Sequence, residues 1–275
     1  RQRQMCIRDR YVRVERMGKI SWGVLNGDTV HTLKYPPYAG DTEYYDGKRW
    51  PLSDCRLLAP CTPGKIVCLG KNYADHALEM GGAAPETPIV FMKTPNCVND
   101  PEGDICIPAF VGRLDYEGEL AFVIKRRAKE VKAADAWGYI LGFTCLNDVT
   151  ARDIQAADGQ WTRGKCMDGF APMGPVITDE VDPTALKIQT RLNGNTVQSA
   201  NTALFLTKIP DMLAFITAGI TLEPGDVVST GTPAGIGPMC SGDTVEVEIE
   251  GIGVLRNHIV SCLLYTSDAA DDSLR

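Results

Sequence analysis

Between Tyr116 and Ile124 the chain reads Tyr-Glu-Gly-Glu-Leu-Ala-Phe-Val-Ile, two carboxylates at the head of a β-prone apolar run. In an extended strand residues i and i+2 project from the same face, so Glu117 and Glu119 point the same way. Charged residues are rarely buried unless paired or bound to a metal, so this pair needs a cation or open water. Asp148, 29 residues after Glu119 in Cys-Leu-Asn-Asp-Val-Thr, adds a third acid. Together they look like an oxygen-only metal site. Taken singly, the glutamates also fit a solvated strand face, and Asp148 a helix cap.

A chain of 275 residues, 44% hydrophobic and 23% charged, can bury a full core as one large domain or one with a small partner. Its net charge of −7 leaves no basic surface for nucleic acid or an anionic membrane, which makes small molecules the expected partners. No apolar run approaches the roughly 20 residues of a membrane span, so a cytoplasmic protein is expected. Ten cysteines occur without Cys-x-x-Cys spacing and read as free, mostly buried thiols. With only His31, His76 and His258 available, any metal must rely on oxygen ligands.

Both ends, 1–10 and 261–275, lack strand alternation or a helix stripe and resemble translated sequencing-adaptor read-through. Residues 11–60 hold short strand candidates broken by Asn26-Gly27-Asp28 and Asp46-Gly47, a small β-rich N-terminal domain. A larger domain over 61–260 follows. Its predicted strands are 65–70, 89–92, 117–124, 139–147, 186–192, 227–230 and 244–249, with a hairpin turn at Asn193-Gly194-Asn195. Helices are expected only at 133–137, 151–157 and 211–218, the last led by Pro210 and stopped by Gly219. The fold class is mostly β with a few short helices.

His76 and Glu79 lie three apart and share a face on a helical turn; a carboxylate that holds one imidazole nitrogen leaves the other as a base. An incidental surface pair is the alternative. Gly81-Gly82 and Pro85 after it suggest a mobile loop able to act as a lid. Arg152 and Gln155 stand four and seven residues after Asp148, on one side of a helix beginning there, with Lys165 beyond. Arg152 would balance the acids, and Gln155 and Lys165 would donate to an oxyanion; a solvated helix face is the competing reading. Ser229-Thr-Gly-Thr-Pro-Ala-Gly-Ile-Gly237 is no Walker loop, but its amides and the Thr232 hydroxyl could hold a carboxylate, or it is a plain turn.

The order of Lys71-Asn-Tyr-Ala-Asp-His76, Tyr116-Glu-Gly-Glu-Leu120, Asn147-Asp-Val-Thr-Ala-Arg-Asp-Ile-Gln155, Trp161-Thr-Arg-Gly-Lys165 and Thr230-Gly-Thr-Pro233 resembles the fumarylacetoacetate hydrolase family over 65–259. The resemblance implies a mixed β-sandwich roll, usually a homodimer, with a divalent ion on Glu117, Glu119 and Asp148. It also implies a His76/Glu79 dyad, catalytic contacts from Gln155 and Lys165, and substrate contacts from Thr232, Arg152, Lys71 and Tyr73. Two departures stand out. Leu69 occupies the place of a further metal-ligating aspartate of the longer eukaryotic members, and Cys166 the place of a small or polar residue. A three-carboxylate site is similar to the acylpyruvase, oxaloacetate decarboxylase and hydroxymuconate isomerase side of the family.

Three hard carboxylates suit Mg2+, with Mn2+ or Ca2+ as alternatives, and leave places for water and a 2-oxo acid. Such an ion would polarise the ketone and stabilise an enolate. The expected activity is cleavage of a C–C bond, by acylpyruvate-type hydrolysis or decarboxylation of a β-keto acid. The alternatives are a 2-hydroxyhepta-2,4-diene-1,7-dioate isomerase or 5-oxopent-3-ene-1,2,5-tricarboxylate decarboxylase of aromatic catabolism, and a non-catalytic metal-binding protein.

Overall fold

The computed structural model describes residues 9–40 and 44–262. Most of both tail assignments, 1–8 and 263–275, and Cys6 with them, lies outside the described residues. Arg10 and Ser261, counted with the tails, stand in the strands Arg10–Arg16 and Gly253–Ser261. The expectation of free thiols fails for one pair: Cys262 is disulfide-bonded to Cys106, with Cα atoms 5.2 Å apart. Parallel pairing of Gly253–Ser261 with Asp104–Ile107 brings the two together across 156 residues, a contact that no local spacing could announce. The other seven cysteines among the described residues are free.

The protein is mostly β. Its largest sheet has twelve strands, ten of them in the order Tyr45–Pro51, Thr29–Leu33, Lys19–Asn26, Arg10–Arg16, Ala171–Thr178, Ile140–Asn147, Gly118–Ile124, Val227–Ser229, Ile66–Gly70 and Ile89–Lys93, and two short ones paired off this path. The N-terminal strands therefore extend the main sheet, joined where Tyr11 pairs with Ile177. A second sheet orders Asn195–Asn201, Lys187–Leu192, Thr244–Ile249, Gly253–Ser261 and Asp104–Ile107. Its hairpin turns at Asn193 and Gly194, both at positive φ (51° and 79°), the conformation that the Asn-Gly pair favours.

Gly118–Ile124 is buried along its whole length. Leu120, Phe122 and Ile124 meet Phe143, Ile188, Val247 and Leu255 between the two sheets, while Ala121 and Val123 face Ile66, Cys68, Leu146 and Met173 on the other side. Each such side chain contributes about 1.5–3 kcal/mol when buried, so this strand is a firm platform. From Leu120 to Ile124 the run is apolar at every position, as a strand covered on both faces requires.

Three elements differ from the sequence reading. Ala171–Thr178 is a mid-sheet strand whose Pro172 and Pro175 hide it, because proline normally avoids central strands. The helix expected at 133–137 is a 3-10 helix, Ala133–Tyr139. The helix expected at 151–157 is found at Arg152–Asp158, but it does not reach back to Asp148, because Thr150–Ala151 is drawn into a small sheet with Leu114–Tyr116 and Gly237–Met239. Among the described residues, no helix is long and apolar enough to cross a membrane.

Candidate active site and metal centre

Glu117 sits where the chain passes from Leu114–Tyr116 of the small sheet into Gly118–Ile124 of the large one. Gly118 is required between the glutamates, since a Cβ there would lie 2.2 Å from Thr190 Oγ1. The Glu117 amide donates to Asn147 Oδ1 at 2.9 Å, and the Asp148 amide donates to the Glu117 carbonyl at 2.8 Å. These bonds lock the third acid beside the first two. Carboxylate oxygens of Glu117, Glu119 and Asp148 lie within 4.8 Å of one another, all three residues being buried.

Three cations serve this cluster. Lys165 Nζ donates to Glu117 Oε2 at 2.7 Å and Asp148 Oδ2 at 2.6 Å. Arg152 joins Glu117 Oε1 and, through Nε at 2.8 Å, Asp115. Lys93 Nζ donates to Asp148 Oδ1 at 2.7 Å and to the Val149 carbonyl at 3.1 Å. Burial pushes the Glu117 carboxyl up, but Lys165 and Arg152 outweigh it and hold the group below its ordinary range. Burial likewise pulls Lys165 down, and Asp148 with Glu117 more than reverses this, keeping it protonated.

Glu119 is the exception. Its Oε2 accepts from Ser229 Oγ at 2.5 Å and the Gly231 amide at 2.9 Å, yet no lysine or arginine among the described residues bonds to it. Burial, then the charges of Asp148 and Glu117, push its carboxyl well above the ordinary value. Its Oε1 has no donor among the described residues. A buried carboxylate with an orphan oxygen beside two other acids fits a hard divalent cation, and the all-oxygen donor set suits Mg2+ or Mn2+.

The triad opens into a cavity of about 250 Å³ that His76, Lys71, Arg152, Gln155, Lys165 and Thr232 also line. Leu69, Met80, Phe91 and Trp161 form apolar walls. His76 lies on the helix Ala74–Glu79 and its Nδ1 is 3.0 Å from Glu79 Oε2, while Glu79 Oε1 accepts from the Gly235 amide at 3.0 Å. The imidazole is thereby oriented from one side and its Nε2 is left without a partner among the described residues. Gln155 Oε1 accepts from Arg152 Nη1 at 2.6 Å, which leaves its amide nitrogen as a donor.

Two candidates are placed differently from the sequence reading. Thr232 reaches the cavity, but its hydroxyl donates to the Gly118 carbonyl at 2.9 Å and accepts from Gln198 Nε2 at 2.8 Å. With the Gly231 amide spent on Glu119, this loop supports the triad. Tyr73 is buried against Phe205, ring centres 5.1 Å apart, and does not line the cavity. Two residues escape the sequence reading. Asp115, fully buried between Arg113 and Arg152, extends the alternation of Glu117 and Glu119 by one step and could have been found from it. Lys93 gives no local signal of its buried partner beyond standing two residues after Phe91 on one strand.

The family model described as fumarylacetoacetate (FAA) hydrolase C-terminal matches residues 65–260, and that of the Rv2993c-like N-terminal region matches 9–60. Protein Rv2993c of Mycobacterium tuberculosis is 49% identical over 235 residues, 84% of this chain and 88% of that protein. The oxaloacetate tautomerase Fahd2a of Rattus norvegicus is 41% identical over 222 residues, 76% of this chain and 71% of its own. The crystal structure of 2-hydroxyhepta-2,4-diene-1,7-dioate isomerase from Mycobacterium marinum superposes with a TM-score of 0.85 at 41% identity, covering 92% of this chain and 98% of that one. That of maleylpyruvate hydrolase from Sphingobium, in complex with manganese(II) and pyruvate, gives 0.77 at 27% identity over 92% and 100%. By sequence and by fold, this chain belongs to the fumarylacetoacetate hydrolase family.

Proposed function

We propose that the protein is a divalent-metal-dependent enzyme that moves a proton at the carbon beside the 2-oxo group of a small 2-oxo acid. The observation that carries this is an oriented imidazole with a free nitrogen, His76, in the cavity that holds the acidic triad. A divalent ion, Mg2+ by preference, on Glu117, Glu119 and Asp148 would supply a Lewis acid for the 2-oxo group. His76, steadied by Glu79, takes the proton through Nε2 and returns it at the other end of the keto–enol system. Lys165 spends two of its three donors on Glu117 and Asp148 and keeps one for the oxygen that gains charge. The Gln155 amide adds a second. Leu69, Phe91 and Trp161 limit water around the reacting carbon. The resemblance also implies a homodimer, which forms part of this reading.

C–C cleavage, by hydrolysis or decarboxylation, is the second reading, because the same dyad suits activation of a water. Proton transfer stands first because the names tautomerase and isomerase attach to relatives near 41% identity, and hydrolase to structures at 37% and 27%. Initial rates of enol-oxaloacetate ketonisation and of acylpyruvate hydrolysis, each with Mg2+ or Mn2+, separate the two. His76→Ala should slow ketonisation by about 10²- to 10⁴-fold while leaving magnesium affinity intact. Hydrolysis without ketonisation would favour the second reading. If neither substrate turns over, the chain is a metal-binding protein without this activity.

A further inference from the structure

Cys166 directly follows Lys165, and the proposed chemistry makes no use of it. In the structure it meets a second free thiol, Cys97, as a hydrogen-bond partner. The segments that carry the two run side by side. Asn96 Nδ2 donates to the Cys166 carbonyl at 3.1 Å, the Gly169 amide donates to the Asn96 carbonyl at 3.1 Å, and Val98 pairs with Ala171 on neighbouring strands. The thiols cross between these segments. Cys166 Sγ donates to the Met92 carbonyl at 3.3 Å and Cys97 Sγ to the Lys165 carbonyl at 3.8 Å, so each reaches the chain that bears the other. Both belong to one apolar cluster, Cys97 fully buried within it and Cys166 half-buried against it.

The two sulfurs differ in reactivity. Peroxide oxidises a thiolate rather than a thiol. The Cys97 thiol, turned to Cys166, pulls that group down to about 6 against the effect of burial, with the Thr94 backbone adding to it. The same partnership, together with burial, pushes Cys97 up. The accessible sulfur is therefore the one that ionises, and the buried one keeps its proton. That is the division between an attacking and a resolving cysteine. Their place in the fold links them to the acidic triad. Cys97 closes the turn Pro95–Cys97 after the strand that ends at Lys93, and Cys166 caps the helix Thr162–Lys165. Lys93 and Lys165 both donate to Asp148.

We infer that Cys166 and Cys97 form a modification site, a thiol pair that hydrogen peroxide converts to a disulfide, and that this bond slows the enzyme by shifting Lys165. In the first step the Cys166 thiolate attacks one oxygen of hydrogen peroxide. The O–O bond breaks, leaving a sulfenic acid on Cys166 and hydroxide, so sulfur is oxidised and peroxide reduced. Cys97 then attacks the Cys166 sulfur; the S–O bond breaks, and its oxygen leaves as water with the Cys97 proton. A dithiol reverses the bond by exchange and is itself oxidised. Covalently bonded sulfurs sit closer than hydrogen-bonded ones, so closure draws the end of the lysine-bearing helix toward the turn at Cys97. Lys165 then loses its fit to Glu117 and Asp148. The bond itself requires nothing of the proposed function, and only its effect on rate rests on that reading.

The test treats the protein with a small excess of hydrogen peroxide, blocks remaining thiols, and maps its peptides by mass spectrometry. A peptide linked through Cys97 and Cys166 should form and disappear again with dithiothreitol. Ketonisation of enol-oxaloacetate should fall by about 10- to 100-fold in step with the link, the scale of a displaced catalytic group, and recover on reduction. Cys166→Ser should form no link and keep its rate through the treatment. Cys97→Ala should stop at the sulfenic acid, which dimedone traps on Cys166. The Cys106–Cys262 bond is common to all three proteins and cannot account for a difference between them. Circular dichroism checks that both variants fold. Absence of the linked peptide, a link without loss of rate, or an equal loss in Cys166→Ser overturns the inference and leaves the proposed function standing. A protein inactive before peroxide is added counts against the proposed function, and the linked peptide alone then decides this inference.

Discussion

Two ionic clusters in this molecule use the same residue types to opposite ends. On the five-stranded sheet Arg191 reaches across to Glu246, its register partner on Thr244–Ile249, at 2.9 Å, and to Glu248. Those groups keep contact with water. At the head of Gly118–Ile124, Lys165, Lys93 and Arg152 serve Glu117, Asp148 and Asp115 with almost none. Water screens the first cluster, which contributes about 0–1 kcal/mol. The second carries a desolvation cost that its attractions offset only through near-complete hydrogen bonding. A cluster of that kind is weak evidence for stability and strong evidence for a site. Glu119 is the acid in it without a basic partner among the described residues, and a divalent ion would supply that charge.

The largest effect expected on stability comes from Lys93→Met. Asp148 loses one buried partner and keeps Lys165, so the loss should be about 3 kcal/mol, the low end for breaking a buried pair, read by urea unfolding of metal-free protein. A loss below about 1 kcal/mol would erase the distinction between the clusters.

Next comes pH. The folded pKa of Glu119 lies above its unfolded value near 4.5, so its proton stabilises the metal-free fold at low pH. That stabilisation is lost as pH rises from 4.5 through the folded value. A divalent ion must displace this proton, so magnesium affinity should climb by up to about tenfold per pH unit across that window, with one proton released per ion. Calorimetry in two buffers of different ionisation enthalpy counts the proton, and Glu119→Gln should flatten the slope. An affinity independent of pH would mean that Glu119 is already ionised. The smallest effect is Arg191→Ala, expected below about 1 kcal/mol and fading at high salt. A larger, salt-resistant loss would show that the surface cluster resembles the buried one.

Much of this was legible in the chain because the governing rules are local. Two residues per strand repeat dictate that Glu117 and Glu119 share a face, and Asn193-Gly194 dictates a hairpin. Three residues on a helical turn dictate that His76 and Glu79 meet, as they do at 3.0 Å. Local rules found the helix at 151–157 but also let it begin at Asp148, where Thr150 and Ala151 instead join a strand supplied by Leu114–Tyr116. They also passed over the Cys106–Cys262 bond and the proline-bearing strand Ala171–Thr178. The sequence by itself determined which acids could hold a cation, since backbone geometry presents them whatever the rest of the chain does. Only the tertiary structure decided how they are neutralised. Lys93 and Lys165 approach Asp148 from 55 and 17 residues away, and the packing of separate strands and a helix, rather than any spacing, brings them there.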